Sequence, residues 1–513
     1  MVFRPRASVN SDTGSIRASA LTALKQTAIA GLDQILGGGL PAQRVHLIEG
    51  TPGAGKTTLG LSFLLAGAEV GERGLYITLS ETSSELHAVA QTHGWSLDPI
   101  EVVEMVPDSD LDVEHEQTLL HPSEVELGET VRGIIAKVDA AKPDRVVLDS
   151  LSELRMLAQN PLRYRRQILA LKNFFATRKT TVLVLDDKTV EGADLQLHSI
   201  AHGVISLEQR MSEFGAERRR LSIVKMRGRS YRGGYHDFVI EKGGLCVFPR
   251  LAIADDVLPI LTEQVSTGSH ELDQLLGGGL VPGTATLLVG PAGVGKTTTV
   301  TQCLVAALRR GDNATYFLFD ERPPTLLTRS TALGLDLQPF IDNRQLELRR
   351  VDPAELSPGQ FSALVRAAVE EKKDRVVVID SLNAYLHSMP DEKFLVLQMH
   401  ELLSYLALHG VISLLILGQH GITGDIRADV DLSYLADTVI NLRFFEARGE
   451  VLQAISVIKT RTTEHERTIR QFRIGMGGLT IGAPLREFQG VLTGVPTFTG
   501  GDAVLMRKDI ALA

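Results

Sequence analysis

The chain alternates short apolar runs with longer stretches of helical periodicity, and its second half repeats the alternation. The runs of the first half that predict strands are Arg44–Glu49, Leu75–Leu79, Arg145–Leu148 and Thr181–Leu185. Helices are predicted at Thr57–Gly67 and from about Leu162 to Arg178. Apolar strands separated by helices are typical of a parallel sheet that is covered by helices on both faces.

The second half offers the same order of elements. Its predicted strands are Thr286–Val289, Thr315–Phe319, Arg375–Ile379 and Val411–Leu417, with a helix at Thr299–Leu308. Each half then continues with strands that have the pattern of antiparallel hairpins. These are Leu221–Met226 and Asp237–Ile240 in the first half, matched by Ala454–Lys459 and Arg470–Ile474 in the second. The pattern therefore predicts two copies of one α/β domain.

With 513 residues, the chain is long enough for two domains of roughly 200–250 residues each. We predict a disordered N-terminal arm at 1–26, a first domain at 27–248 and a linker at 249–264 that contains Pro259. The second domain is predicted at 265–483, and a C-terminal loop and tail at 484–513.

Composition narrows the class of protein. The two cysteines, Cys246 and Cys303, fall on different halves, which fits a reducing cytoplasm without a disulfide framework. Residues 1–26 lack the apolar core of a secretory signal, and the longest apolar runs are too short to span a bilayer. The formal net charge of −9 weighs against nucleic acid as a partner, although a local basic groove stays open. We expect a cytoplasmic protein that does not bind membranes.

The strongest motif occurs twice. Gly50–Thr57 and Gly290–Thr297 both fit the pattern G-x-x-x-x-G-K-[ST] of a P-loop, and their lysines are 240 positions apart. The block upstream is repeated as well, since Leu32-Asp33-Gln34 and Gly37-Gly38-Gly39-Leu40 recur from Leu272 onward. One nucleotide-binding module has therefore been duplicated.

A P-loop predicts which residues hold ATP and Mg²⁺. Backbone N–H groups at a helix N-terminus bind phosphate oxygens, the lysine reaches the β- and γ-phosphates, and the hydroxyl after it binds Mg²⁺. The predicted nucleotide-binding residues are Gly53, Gly55, Lys56, Thr57 and Thr58, and Gly293, Gly295, Lys296, Thr297 and Thr298. Of these, Thr57 and Thr297 are predicted metal ligands.

Carboxylates follow the next apolar strands. Asp149 and Asp380 each end such a strand, where a Walker B acid holds Mg²⁺ directly or through water. The alternative is a helix N-cap, since a serine follows each aspartate.

Glu81 and Glu321 each lie 25 positions after the P-loop lysine and are candidate catalytic bases. Asp320 precedes Glu321 and is a further candidate for catalysis or metal binding, whereas Ser80 precedes Glu81. The alternative for these residues is that they are surface acids at a strand end.

Basic residues recur after equivalent late strands. Lys225-Met226-Arg227 and Lys459-Thr460-Arg461 could contact a phosphate of a bound nucleotide, in the same chain or across a subunit boundary. The alternative is a solvated strand face, and spacing alone leaves the two readings open.

Together these residues resemble the KaiC family of tandem RecA-type ATPases. The similarity covers about residues 27–497 and rests on the paired Gly-Gly-Gly-Leu and P-loop blocks and on the two Asp-Ser strand ends. It also rests on Arg227-Gly228 followed by Gly234-Tyr235, and on Lys459 to His465. The resemblance implies an α/β fold of two tandem RecA-like P-loop NTPase domains, each a mostly parallel central sheet flanked by helices.

The resemblance also implies a homo-hexamer of two stacked rings, with ATP at the boundaries between subunits. Lys225, Arg227, Lys459 and Arg461 match residues that contact the neighbour's nucleotide, and Thr463 and His465 match two further contacts in the second ring. Tyr231 departs from the family, whose first ring usually has histidine there.

Clock-type members of the family phosphorylate an adjacent Ser-Thr pair in the second domain. The matching pair here is Ser433-Tyr434, so Ser433 is the predicted phosphoacceptor and Tyr434 a second candidate. The equivalents in the first domain are His198 and Ser199, which assigns the kinase activity to the second domain alone. Asp320 matches the glutamate that acts as the kinase base.

We therefore predict an ATP-hydrolysing, serine-autophosphorylating hexameric regulatory protein. Two alternatives are a nucleotide-gated scaffold with little kinase activity and a DNA-stimulated recombinase or helicase. A KaiB-like or signalling protein that docks on the first ring is a candidate partner. The short C-terminal extension has its own sequence and does not support binding of the clock's activating partner.

Overall fold

The computed structural model describes residues 23–105, 122–188, 195–211, 215–251, 263–387, 392–419, 433–447, 449–493 and 497–499. Residues 1–22 of the predicted arm, residues 252–262 of the predicted linker and residues 500–513 of the predicted tail lie outside this set. By its contacts the chain divides into two compact units: residues 1–209 with 219–235 and 239–247, and residues 248–513 with 210–218 and 236–238.

The first domain is built on a nine-stranded sheet with the order β11-β10-β9-β8-β3-β7-β6-β4-β5. Its strands are β3 (Val45–Gly50), β4 (Gly74–Thr78), β5 (Ile100–Glu104), β6 (Arg145–Asp149), β7 (Thr181–Asp187), β8 (Gly203–Arg210), β9 (Arg218–Met226), β10 (Tyr235–Glu241) and β11 (Gly244–Phe248). A separate pair joins β1 (Leu24–Lys25) to β2 (Leu40–Pro41).

Helices accompany this sheet. They are α1 (Leu32–Ile35), α2 (Lys56–Glu69), α3 (Ser83–Thr92), α4 (Pro122–Ala141), α5 (Leu151–Ala158), α6 (Pro161–Arg178) and α7 (Leu195–Ile200). Six neighbouring strands of this sheet, in the order β8-β3-β7-β6-β4-β5, pair in parallel. Residues such as Val146, Val147 and Leu148 are buried on both faces of the sheet. This explains why these strands read as continuous apolar runs.

The second domain repeats the arrangement with the order β14-β13-β15-β16-β12-β17-β18-β19-β20. Its strands are β12 (Ala285–Pro291), β13 (Ala314–Leu318), β14 (Leu346–Arg350), β15 (Val376–Asp380), β16 (Ile412–Gln419), β17 (Thr438–Ala447), β18 (Glu450–Thr460), β19 (Arg470–Gly475) and β20 (Gly478–Pro484). Its helices are α8 (His270–Leu275), α9 (Lys296–Arg310), α10 (Pro323–Ala332), α11 (Gln338–Asp342), α12 (Pro358–Glu370), α13 (Leu382–His387) and α14 (Glu392–Leu408).

Six strands of this second sheet pair in parallel, and β18, β19 and β20 continue it in antiparallel pairs. Two nine-stranded, mostly parallel sheets flanked by helices confirm the predicted fold class. None of the helices in the described ranges is both long and apolar enough to cross a membrane.

Two predicted boundaries differ from the folded structure. The strand Leu24–Lys25 lies within the predicted arm, because its backbone pairs with Leu40–Pro41. The predicted tail begins with ordered chain, since β21 (Phe488–Gln489) pairs with β22 (Thr497–Phe498) and a short 3-10 helix covers Val491–Thr493. The Phe488 ring packs on Phe445 at 5.7 Å between centroids, which fastens this segment to the second domain.

Candidate active site

Each P-loop joins the central strand of its sheet to the helix that follows. Gly55 and Gly295 precede the first helical residue with φ values of 98° and 110°, a left-handed conformation that glycine adopts without strain. The next residue in each domain is the P-loop lysine, which is almost fully buried. Both lysines therefore start a helix, where the backbone dipole favours a bound phosphate.

The two lysine side chains fold back over their own loops. Lys56 Nζ donates to the carbonyl oxygens of Gly50 and Thr51 at 2.9 and 3.0 Å. Lys296 Nζ donates to those of Gly290 and Pro291 at 2.8 and 2.7 Å. Burial lowers the pKa of Lys296 to about 8. An ammonium held at this point is placed to reach the terminal phosphates of a nucleotide.

The predicted Walker B acids lie beside the P-loop hydroxyls. In the first domain Thr57 Oγ1 donates to Asp149 Oδ2 at 3.3 Å, and the buried Tyr76 hydroxyl donates to the same oxygen at 2.6 Å. Ser150 occupies the N-cap position of the helix that follows, without a capping hydrogen bond from its side chain, so Asp149 is not the N-cap residue. A carboxylate that faces the P-loop hydroxyl has the position of a metal ligand rather than of a cap.

The second domain has the same three contacting groups. Thr297 Oγ1 donates to Asp380 Oδ2 at 3.0 Å, and the Tyr316 hydroxyl donates to it at 2.9 Å. Burial raises the pKa of Asp380, as it does that of Asp149. In each domain a hydroxyl and a buried carboxylate thus stand next to the lysine.

This donor set fits Mg²⁺, which prefers oxygen ligands and keeps several of its waters when it binds phosphate-bearing substrates. No group of three or more His, Cys, Asp or Glu side chains suited to holding a metal occurs within the described ranges. The paired hydroxyl and carboxylate therefore supply only part of a coordination shell, as expected for a metal that also binds ATP.

The two candidate bases have different surroundings. Burial, together with the charges of Asp149, Glu85 and Asp187, raises the pKa of Glu81. Its Oε2 is buried and has no hydrogen-bond partner in the part of the chain that the structure describes. An acid of this kind is suited to orient a water and take its proton.

Glu321 is instead clamped by an arginine. Arg329 NH1 and NH2 donate to the two carboxylate oxygens of Glu321, both at 2.8 Å. Val89 occupies the position of Arg329 in the first domain. Two parallel charge-assisted hydrogen bonds engage both oxygens of Glu321, which leaves its neighbour Asp320 as the better base. Asp320 accepts a hydrogen bond from the Ser381 hydroxyl, next to Asp380.

A carboxylate that the sequence did not single out touches the first P-loop. Asp187 Oδ1 lies 2.7 Å from Lys56 Nζ, at the carboxyl end of β7 where Asp187 pairs with Gly50. Its counterpart in the second domain by strand register is Gly418, which pairs with Gly290. The Asn383 side chain exchanges two hydrogen bonds with the backbone of Gly418. The first P-loop therefore carries a negative charge that the second lacks at this position.

We expect Asp187→Asn to strengthen ATP binding at the first P-loop by about fivefold. The amide keeps the shape of the side chain but removes a charge that holds Lys56 and opposes the phosphates. Titration calorimetry with Mg·ATP in a Lys296→Ala background measures the first P-loop alone, with Asp98→Asn as an exposed control. Weaker binding would mean that Asp187 helps to hold the metal or the nucleotide instead.

The predicted basic residues contact the segment that precedes β17. Lys459 Nζ donates to the carbonyl oxygens of Ser433 and Ala436 at 3.0 and 2.8 Å, and Arg461 NH2 donates to that of Tyr434 at 2.7 Å. The predicted acceptor residues and the basic pair thus lie together. The Tyr434 ring is exposed.

The first domain repeats these contacts at the equivalent positions. Lys225 Nζ donates to the carbonyl oxygen of His198, and Arg227 NH2 donates to that of Ser199 at 2.7 Å. Met226, between them, is buried in the sheet. Matched contacts agree with the predicted equivalence of His198 with Ser433 and of Ser199 with Tyr434.

The remaining predicted residues of the second domain cluster near the same segment. Thr460 Oγ1 donates to the Thr463 carbonyl and lies 3.2 Å from His465 Nδ1. The Thr463 hydroxyl donates to the Leu276 carbonyl at 3.1 Å. These contacts shape the turn from Thr460 to His465.

The P-loop lies at the carboxyl end of β12, whereas Asp437, which follows the segment with Ser433 and Tyr434, lies at the start of that strand. Lys296 binds the carbonyl of Gly290, near the carboxyl end of β12, whereas the Asp437 N–H donates to the carbonyl of Ala285 at its start. Five residues of strand, at ~3.3 Å each, separate these points by roughly 17 Å. The first domain has the same layout, because the His202 N–H donates to Val45 and Lys56 donates to Gly50.

Sequence reasoning missed several of these residues. Tyr76 and Tyr316 each lie 20 positions after the P-loop lysine, so a comparison of shared offsets could have found them. Asp187 and Arg329 gave no such signal, because each has a different residue at the equivalent position of the other domain.

Comparison with protein families agrees with this geometry. The sequence model of the KaiC ATPase family matches residues 25–252 and again residues 265–486. The chain belongs to the KaiC ATPase family. Family membership supports ATPase activity for this chain, with ATP as its ligand. It also confirms the resemblance drawn from the repeated motifs.

Curated relatives cover nearly the whole chain. The circadian clock protein KaiC3 of Synechocystis sp. is 26% identical over 494 residues, which are 93% of this chain and 95% of that protein. The circadian clock oscillator protein KaiC of Synechococcus elongatus is 27% identical over 490 residues, 92% of this chain and 91% of that protein. The circadian clock protein KaiC2 of Synechocystis sp. is 28% identical over 503 residues, 95% and 86% of the two chains.

Proposed function

We propose that the chain forms a homo-hexamer of two rings, hydrolyses ATP in the first ring and autophosphorylates in the second, where one chain transfers phosphate to Ser433 of its neighbour. In this scheme each nucleotide lies between two neighbouring subunits. One subunit supplies the P-loop, the Walker B aspartate and the base. The other supplies the basic residues and, in the second ring, the phosphoacceptor.

The observation that carries this proposal is the separation of two half-sites by roughly 17 Å along one strand. The backbone of Arg461 lies at the start of β17, since its N–H donates to the Asp437 carbonyl, and this end of the sheet is roughly 17 Å from the P-loop of its own domain. A head-to-tail arrangement of subunits brings the P-loop edge of one chain to the basic edge of the next, and closure of such contacts gives a ring.

The proposed division of labour rests on the bases. In the first ring, Glu81 would take a proton from water as the water oxygen attacks the γ-phosphorus. The bond from that phosphorus to the β,γ-bridging oxygen breaks, and ADP leaves with this oxygen on its β-phosphate. In the second ring, Asp320 would take the proton of a neighbour's Ser433 hydroxyl as that oxygen attacks. Phosphoryl transfer of this kind depends mainly on positioning and on charge stabilisation.

The P-loop hydroxyl and the Walker B carboxylate would hold Mg²⁺, which would neutralise charge on the β- and γ-phosphates. The residues that would hold it are Thr57 with Asp149, and Thr297 with Asp380. Asp320 is a further candidate ligand in the second ring. Tyr76 and Tyr316 would orient the carboxylates through their hydroxyl groups.

A nucleotide-gated scaffold with little kinase activity is the second candidate function. It is favoured by Tyr434, an exposed tyrosine in the place of the threonine in the acceptor pair of clock-type family members. In that case ATP turnover would switch a docking surface for a partner, such as a KaiB-like or signalling protein on the first ring. The cytoplasm remains the proposed location.

We expect assembly to depend on nucleotide. ATP held between two subunits stabilises the assembled state by mass action. Size-exclusion chromatography with light scattering should therefore detect a hexamer in saturating Mg·ATP and smaller species without nucleotide. Arg461→Ala should weaken this response, and Arg467→Ala is a matched control on the same segment. A chain that stays monomeric in saturating Mg·ATP rejects the ring.

A further inference from the structure

A cavity of about 280 Å³ lies in the first domain, at the edge of the sheet opposite the P-loop. Four basic side chains line it: Arg44, Lys172, His202 and Arg227. Arg44 precedes β3, His202 precedes β8 and Lys172 comes from α6, so three separate elements bring the charges together. All of these residues belong to the first compact unit.

These charges are not neutralised locally. Within the described ranges, no carboxylate forms an ion pair with Arg44, Lys172 or Arg227. Burial lowers the pKa of His202, and the positive charges of Arg44, Arg227 and Lys172 lower it further. Lys225 lies close enough that Arg227 and Lys172 also lower its pKa, after burial. Like charges held together at a cavity oppose one another, and a bound anion offsets this repulsion.

The second domain does not have this feature. Strand register, together with counting back from β16, identifies the equivalent residues of the second domain. Thr284 corresponds to Arg44, Leu403 to Lys172 and Asp437 to His202. The counterpart of Arg227 is Arg461, which lies 3.6 Å from the Asp437 carboxylate. The same place in the second domain is therefore neutralised, which makes the cationic cavity specific to the first.

We propose that this cavity is an anion site that binds a phosphate group. Arginine forks match phosphate oxygens in two parallel hydrogen bonds, lysine adds a point charge, and His202 donates from both ring nitrogens when it gains a proton. The apolar side chains of Val45 and Phe175 form the rest of the wall and strengthen these interactions by excluding water.

The size of the cavity agrees with such a ligand. Since one water occupies about 30 Å³ of liquid, the space equals that of roughly nine waters, enough for a phosphate group that keeps part of its hydration. Two sources offer this chemistry. One is free inorganic phosphate. The other is the terminal phosphate of a nucleotide on a neighbouring chain, and this source rests on the proposed function.

The test uses the full chain with a non-hydrolysable Mg·ATP analogue present, so that the γ-phosphate positions of both P-loops are filled. Titration calorimetry with inorganic phosphate compares wild type with Lys172→Leu and with the triple variant Arg44→Thr, Lys172→Leu and His202→Asp, which installs the residues of the second domain. Lys179→Ala, an exposed lysine just after α6 that does not line the cavity, is the control. Circular dichroism melting checks that each variant is folded.

If free phosphate is the source, we expect the triple variant to lose about tenfold or more in phosphate affinity, Lys172→Leu to lose part of it, and Lys179→Ala to remain within about twofold of wild type. This outcome does not require a ring, so it stands even when the proposed assembly fails.

If a neighbour's nucleotide is the source, free phosphate gives no heat in wild type. The triple variant then needs about fivefold or more ATP for half-maximal assembly in light scattering, while Lys179→Ala needs the wild-type amount. A folded triple variant that matches wild type in both phosphate binding and ATP-dependent assembly overturns the proposal.

Discussion

Replacing Lys296 with alanine is expected to abolish incorporation of phosphate into the chain, whereas Lys56→Ala is expected chiefly to weaken assembly and steady ATP turnover. Each substitution removes a buried ammonium that two loop carbonyls hold beside the Walker B carboxylate. Loss of one such charge-stabilising donor costs about 100-fold or more in rate. The two losses should appear in different assays because the two domains differ around the phosphates.

The difference lies in three pairs of equivalent positions. The second domain has Asp320 beside a clamped Glu321, and it has Ser433 as the predicted acceptor. The first has Ser80 beside Glu81, whose free buried oxygen suits hydrolysis, and it has His198 in place of the acceptor. Lys296→Ala should therefore leave hydrolysis by the first ring largely in place.

The measurement is labelled phosphate per chain, with ATP turnover and light scattering on the same samples. Lys56→Ala and Lys296→Ala serve as each other's matched controls, since both remove the same group from the same kind of loop. Equal loss of incorporation in both variants, with an intact hexamer, would count against the division of labour.

The sequence was sufficient to predict the sheets because most of their strands are buried on both faces. Runs such as Arg145–Leu148 and Val411–Leu417 carry a continuous apolar signal, and the strands observed are Arg145–Asp149 and Ile412–Gln419. The edge strands Ile100–Glu104 and Leu346–Arg350 were not predicted, because charged residues interrupt their pattern. A strand at an edge needs no such continuous burial.

The active site was predictable only where both domains keep the same residue at the same offset. The contact between Asp187 and Lys56 depends on the register that pairs β3 with β7, which no local pattern specifies. The pair of Arg329 with Glu321 depends on how α10 lies over the strand end. The sequence left open which nucleotide the Lys-x-Arg pairs contact. Strand pairing puts these residues at the end of the sheet opposite their own P-loop.

We expect Ser433→Ala and Asp320→Asn each to lose phosphate incorporation, and a mixture of the two chains to regain it. Asp437, four residues after Ser433, lies roughly 17 Å along the strand from the P-loop of its own domain, so we expect the base that serves Ser433 to belong to a neighbour. In a mixture, the Asp320→Asn chain offers an intact acceptor and the Ser433→Ala chain offers an intact base. A serine hydroxyl is a poor nucleophile without such a base.

Random assembly of equal amounts predicts the yield. Half of the chains keep the acceptor, and half of those face an intact base in a head-to-tail ring, so labelling should reach about one quarter of wild type. Tyr434→Phe is the control for the acceptor, because it keeps Ser433 and removes only the second hydroxyl. Mass spectrometry then locates the phosphate.

Each outcome distinguishes between the candidate functions of the second domain. If Ser433→Ala is labelled as strongly as wild type, another residue is the acceptor. If the mixture takes up no label, transfer between neighbouring chains is excluded. Absence of label from every chain, wild type included, would favour the nucleotide-gated scaffold.

A new phosphoserine adds about −1.5 to −2 charge beside Asp437, at the edge where Lys459 and Arg461 would meet the next subunit. Recovery of label in the mixture should therefore be followed by a looser ring, which light scattering of the labelled sample detects.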